Sequence, residues 1–211
     1  MPRIIDNINL HLKPTLQETL QHSKALDACV GYFNLRGWRA LCDDADALAG
    51  DDTRSPVRLL IGMQDTPESR LREELRIIRR QTTIDNATAA RLRQIAAQGL
   101  REQLTWGVPS ASDEKTLRAL RRQLIEGKVQ VKLFLKHNLH AKLYLCHRSD
   151  PVNPRVGFVG SSNLTFSGLD GQGELNVDVM DHDATEKLHE WFERRWTERL
   201  TVDITDELIE I

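Results

Sequence analysis

The sequence predicts an α/β fold: a mixed, mostly buried β-sheet flanked by helices, with an α-helical insertion. Short apolar runs rich in Val, Leu and Ile alternate with segments of helical period in the first 63 residues and return after residue 128. Between them, about 66–128, strand-like runs are absent and the period is helical throughout. A chain of 211 residues can bury one sizeable core, so a single domain spanning 1–211 with that insertion is the simplest organisation.

In LKPTLQETLQHSKALDACVGYF, Pro14 or Thr15 opens a helix whose Leu16 and Leu20 recur at helical spacing. The run 26–33 then reads as a buried strand ending at Asn34. A helix over 35–49 follows, closed by Gly50 and the polar loop 51–55, and VRLLIGM (57–63) is the next strand. The order strand, helix, strand favours an α/β layer. ESRLREELRIIRRQ, ATAARLRQIAAQGLREQL and EKTLRALRRQLIEG supply three insertion helices. VQVKLFL, LHAKLYLC, VGFVG and LNVDVM are the remaining strands, with a loop at 148–155. The segment 184–200 is an amphipathic helix with Leu188, Phe192 and Trp196 on one face.

Charge is unevenly placed. The net charge is −2, yet Thr66 to Lys128 holds 13 Lys/Arg against 8 Asp/Glu, and the last 42 residues hold 13 Asp/Glu against 4 Lys/Arg. Nucleic acid would therefore meet the insertion or the site cleft, not the C-terminal face. Arg79 and Arg80 in RLREELRIIRR are candidate substrate contacts; the alternative is a solvated helix face laced with Glu–Arg pairs. Trp106 and the tryptophans of the last helix read as packing residues rather than base-stacking ones.

Cys29, Cys42 and Cys146 are odd in number and far apart, which argues for small buried residues and against a disulfide framework or a zinc knuckle. No run reaches the roughly 18 apolar residues of a membrane span, and the N-terminus lacks a signal-like pattern, so no membrane partner and a cytoplasmic location are expected.

The chemistry lies in NLHAKLYLCHRSDPVNPRVGFVGSSNLT. Residues two apart on a strand share a face, so His140, Lys142 and Tyr144 are expected on one side, with Ala141, Leu143 and Leu145 toward a core. A turn, Gly160-Ser161-Ser162-Asn163, follows, with Thr165 behind it and Glu174 further on. Breaking a phosphodiester requires a nucleophile, groups that hold anionic oxygens and a proton donor for the leaving oxygen. His140 can be nucleophile or acid, Lys142 can hold phosphate oxygens, and Ser161 and Asn163 can donate hydrogen bonds to them. Glu174 could accept from the second imidazole nitrogen and fix its tautomer. His147 is expected at the surface end of its strand and His137 in a solvated or capping role. Asp181, His182 and Asp183 look metal-like but read more simply as a helix start capped by Asp183.

The runs HAKLYLC, GFVGSSNLTFSGL and GELNV resemble the phospholipase D superfamily, with its His-x-Lys, Gly-Ser-x-Asn turn and downstream Glu. They are most similar to its single-motif nuclease branch, which includes modules on restriction enzymes and bacterial helicase-like proteins. YFNLRGWRAL and EWFERRWTE resemble that helicase-associated group. The family pattern places an Asp where this chain has His147, and the gap from His140 to Gly160 is longer than in compact members.

The resemblance implies that two His-x-Lys motifs meet: one histidine attacks phosphorus to give a phosphohistidine, the other protonates the leaving oxygen, and water then resolves the intermediate. A chain with one motif implies a homodimer, and DNA is implied as substrate before RNA, with a fused or partner helicase. No metal and no other cofactor is expected, because Lys142 and its symmetry mate neutralise the phosphate. Two other classes stay open: a catalytically degenerate nucleic-acid-binding or dimerisation module, with His147 as its main support, and a phospholipid hydrolase.

Overall fold

The computed structural model describes residues 2–51, 53–62, 86–104 and 110–210. The elements run β1 (Ile4–Ile5), α1 (Leu12–Leu20), β2 (Ser23–Val30), α2 (Leu35–Arg39), α3 (Cys42–Ala47), β3 (Val57–Ile61), α4 (Asn86–Leu104), α5 (Ala111–Ile125), β4 (Val129–Phe134), β5 (Leu143–Arg148), β6 (Arg155–Gly160), a π-helical turn (Ser167–Gly171), β7 (Asn176–Val179), α6 (His182–Trp196), β8 (Thr201–Asp203) and α7 (Thr205–Ile209). The first expected insertion helix, with Arg79 and Arg80, and Trp106 lie outside the described residues.

Among the described residues eight strands form one sheet in the order β1-β7-β6-β5-β2-β3-β4-β8. The central strands β2, β3 and β4 are parallel, and every other pairing is antiparallel. The sheet is mixed, mostly buried and flanked by helices, as its apolar runs require. One face packs against Leu12, Leu16, Trp38, Leu100, Leu120 and Leu208. On the opposite face, Cys29, Leu60, Leu143 and Leu145 meet Phe192 and Trp196 of α6.

Burial on both faces corrects one expectation. Tyr144 does not share a solvent face with His140: it is 1% exposed, in the first core, while its neighbours Leu143 and Leu145 enter the second. His140 and Lys142 instead lie in the extended segment before β5 begins at Leu143.

The segment 35–49 forms two short helices, not one. Asn34 caps α2 by accepting the Gly37 N–H at 2.8 Å, and Leu41 leaves helical geometry before α3 begins. Parallel pairing of β3 with β4 demands a crossover connection, and α5 is its last part. Gln123 of α5, fully buried, accepts from the Trp38 indole at 3.0 Å and donates to the Cys42 carbonyl at 2.9 Å, tying α5 to α2 and α3. The cap of α6 is Asp181, which accepts from the Ala184 N–H at 2.9 Å, rather than Asp183; Asp183 pairs with Lys187 one turn on. All three cysteines are free and buried.

Candidate active site

The site residues come from loops at one end of the sheet: the ends of β2, β3 and β6 and the approach to β5. This is the carboxyl end of the parallel strands, where open α/β sheets bind ligands. Two backbone bonds carry the approach to β5. The Leu139 N–H donates to the Gly62 carbonyl at 3.0 Å and the Gly160 N–H to the Lys142 carbonyl at 3.3 Å. Gly62 permits that passage, since a Cβ there would come 2.1 Å from the Leu139 carbonyl oxygen.

His140 is exposed, and its imidazole has no hydrogen-bond or ion-pair partner among the described residues. Lys142 is 5% exposed, and its ammonium donates to the His140 carbonyl at 3.2 Å. Desolvation lowers the Lys142 pKa, against the opposing pull of the Glu174 carboxylate. A cation poorly supplied with partners is a receptor for anionic oxygen.

The Gly-Ser-Ser-Asn turn is tied down from three directions. Asn163 Oδ1 accepts the Tyr32 backbone N–H at 2.9 Å, so the amide nitrogen is the free end of that side chain. Ser162 is fully buried: its carbonyl accepts from the Tyr144 hydroxyl at 3.1 Å and its hydroxyl from Asn176 Nδ2 at 2.8 Å. Ser161 accepts from the Leu175 N–H at 2.9 Å and donates a short hydrogen bond to Glu174.

Glu174 therefore does not bond His140, contrary to the expectation from sequence. One of its carboxylate oxygens takes the Ser161 hydroxyl and the other takes Gln172 Nε2 at 2.9 Å. Its charge acts on Lys142 through space, and the Ser161 hydroxyl proton is committed to Glu174. Tyr32, Tyr144 and Asn176 were not assigned site roles from sequence. Of these, Asn176 alone leaves a signal, an Asn inside a strand run where such residues are disfavoured.

His147 is the largest departure from expectation. It is 8% exposed, and its Nε2 lies 2.6 Å from Asp27 on the neighbouring strand β2, beneath α6. Asp27, fully buried, also takes two bonds each from Arg54 and Arg58. Arg58 reaches on to Glu193 of α6 and lies 5.0 Å from the Phe192 ring centroid. Despite the cost of burial, these partners hold the Asp27 carboxyl well below the usual carboxylate range. The metal-like grouping among the described residues is here, Asp27 with His147 and His189, and not at 181–183.

A family model described as "Cardiolipin synthase, PLD-like domain" matches residues 17–196. The chain belongs to the phospholipase D superfamily. Its fold is similar to that of three solved structures. The phospholipase D family member Nuc from Salmonella typhimurium is 10% identical with TM-score 0.51, over 96% of this chain and 97% of that one. Phosphatidylserine synthase from Haemophilus influenzae is 16% identical with TM-score 0.52, over 97% of this chain. Polyphosphate kinase from Porphyromonas gingivalis is 8% identical with TM-score 0.55, over 98%. This phospholipase D domain spans 39% and 24% of the latter two chains. No curated protein matches its sequence. None of its described helices is long and apolar enough to cross a membrane.

Proposed function

We propose that this phospholipase D domain is a metal-independent phosphodiesterase that cleaves DNA at a site completed by a second copy of the chain. The observation that carries this reading is the unpartnered, exposed His140 imidazole beside the desolvated Lys142 ammonium, at the strand end where Asn163 presents its amide. His140 attacks phosphorus, the P–O bond to the leaving group breaks, and that oxygen takes a proton from His140 of the partner subunit. Water, deprotonated by the second imidazole, then displaces the first histidine from phosphorus. Lys142 and Asn163 hold the non-bridging oxygens in both steps, and Glu174 keeps Lys142 charged.

A single chain supplies one imidazole, and the reaction needs two roles. The surface beside Glu174 suits a second copy: Leu175 is 60% exposed, Ile8 72% and Val159 37%. The bond of His147 to Asp27 gives that residue a packing role under α6, which supports this reading over a degenerate module. The reading extends to a nuclease module that is free-standing or joined to a helicase or restriction protein, as the resemblance of its motifs implies.

Cleavage of plasmid and of bis-p-nitrophenyl phosphate in EDTA tests the reading. Wild type is expected to turn both over and His140→Ala neither. Equal turnover by the two proteins refutes the role of His140, and an inactive wild type refutes the enzyme.

A further inference from the structure

Phe166, which caps the π-helical turn after Asn163, is left largely outside the core. It is 52% exposed, and its ring lies against Gly171, where a Cβ would come 3.1 Å from the Phe166 Cε1. The ring forms one wall of a cavity of about 220 Å³ between the turn, α1 and α2. Lys13 and Arg36 line the same cavity and have no hydrogen-bonded or ion-paired partner among the described residues. Arg39 stands beside them, bonded to Ser112 at 2.8 Å.

Carboxylates share the cavity. Asp170 Oδ1 lies 2.8 Å from His11 Nδ1 and Asp44 accepts from Gln17 at 3.2 Å, while Asp43 is exposed. An aromatic face, free cations and an open carboxylate together fit a nucleotide, whose base stacks, whose phosphate is anionic and whose base edge donates a ring or amino N–H. Bare phosphate would not use the ring, and a duplex hides its base faces.

One wall of the cavity follows the Gly-Ser-Ser-Asn turn closely along the chain. Phe166 follows Asn163 by three residues, a reach of at most about 10 Å. The start of α2 is fixed to the same turn by the Asn34 N–H, which donates to the Leu164 carbonyl at 3.2 Å.

We infer that Phe166, Lys13 and Arg36 form a subsite for the single-stranded nucleic acid flanking the scissile phosphate. The inference rests on the nuclease reading for its substrate class, and its test does not require cleavage. Fluorescence anisotropy with a labelled oligothymidylate and with a hairpin duplex is measured on the full chain carrying His140→Ala. Adding Phe166→Ala should weaken single-strand binding about tenfold, from the ~1–3 kcal/mol of one stacked base, with Phe166→Trp retaining it. Adding Lys13→Ala and Arg36→Ala should flatten the slope of log affinity against log salt by about 1.4.

Unchanged single-strand affinity in Phe166→Ala overturns the subsite, as does a parent that binds no single strand or a loss shared equally by the duplex. Failure of the nuclease reading is distinct from this: a wild type that cuts nothing, with the Phe166 effect on binding intact, removes catalysis and leaves the subsite.

Discussion

His147 on β5 and Asp27 on β2 are joined by a 2.6 Å hydrogen bond in the buried layer beneath α6. The position where family members carry an acid thus carries a base, and the acid sits on the adjacent strand between two arginines. Replacing His147 by Asp would set a second carboxylate against Asp27. We expect His147→Asp to lose about 3 kcal/mol or more of unfolding free energy in urea, the scale for a broken buried pair. His147→Gln, whose amide can still donate to Asp27 from near the Nε2 position, should lose less. Wild-type stability of His147→Asp would refute the pairing.

The same layer sets an acid limit. The Asp27 carboxyl is depressed in the folded state, so its contribution is complete above the unfolded value of 3.8 and is lost as pH falls through the folded value. His189, on α6, faces His147, Arg155, Glu193 and Asp27; desolvation, then Arg155 and His147, lower its pKa below 6.5. The unfolded chain therefore binds more protons just below pH 6.5, and stability should fall as pH drops through that value. Two acid phases in Tm against pH are expected, with His189→Gln removing the one near neutrality. A Tm flat from pH 8 to pH 4 would contradict this.

The strands of the central sheet were legible because each is an apolar run, and both faces proved to be core. β1 and β8, of two and three residues, are too short to carry a period. The candidate site was legible as a local pattern: His140, Lys142 and Asn163 lie in segments that reach the same end of the sheet. What the pattern could not give was partner choice. Asp27 precedes His147 by 120 residues, so the sequence offered no reason to bury that imidazole. Glu174 was assigned to the histidine when its neighbour across β6 and β7 was Ser161.

Lys142 predicts an alkaline limit. Desolvation places its pKa below the ordinary 10.5, and phosphate binding needs the protonated form. The alkaline limb of kcat/KM should then fall at a pH under 10.5. In Lys142→Arg the guanidinium stays charged, so that limb should disappear from the accessible range, while turnover drops because the point charge is replaced by a planar fork. An alkaline limb unmoved by the substitution would assign it to another group.

Asn163 separates holding the turn from holding the phosphate. Its Oδ1 is committed to the Tyr32 N–H, leaving Nδ2 to face an anion. In Asn163→Asp one carboxylate oxygen can keep the Tyr32 bond, so the fold should survive, yet the other oxygen now repels the phosphate it would have bound. Loss of one such donor typically costs about 10²–10³ in kcat, and replacement by an anion should cost at least that much. Urea unfolding of the variant should match wild type while phosphodiester turnover collapses. Retained turnover would place the Asn163 amide outside the reaction, and a parallel fall in stability would make its role that of a structural tie to Tyr32.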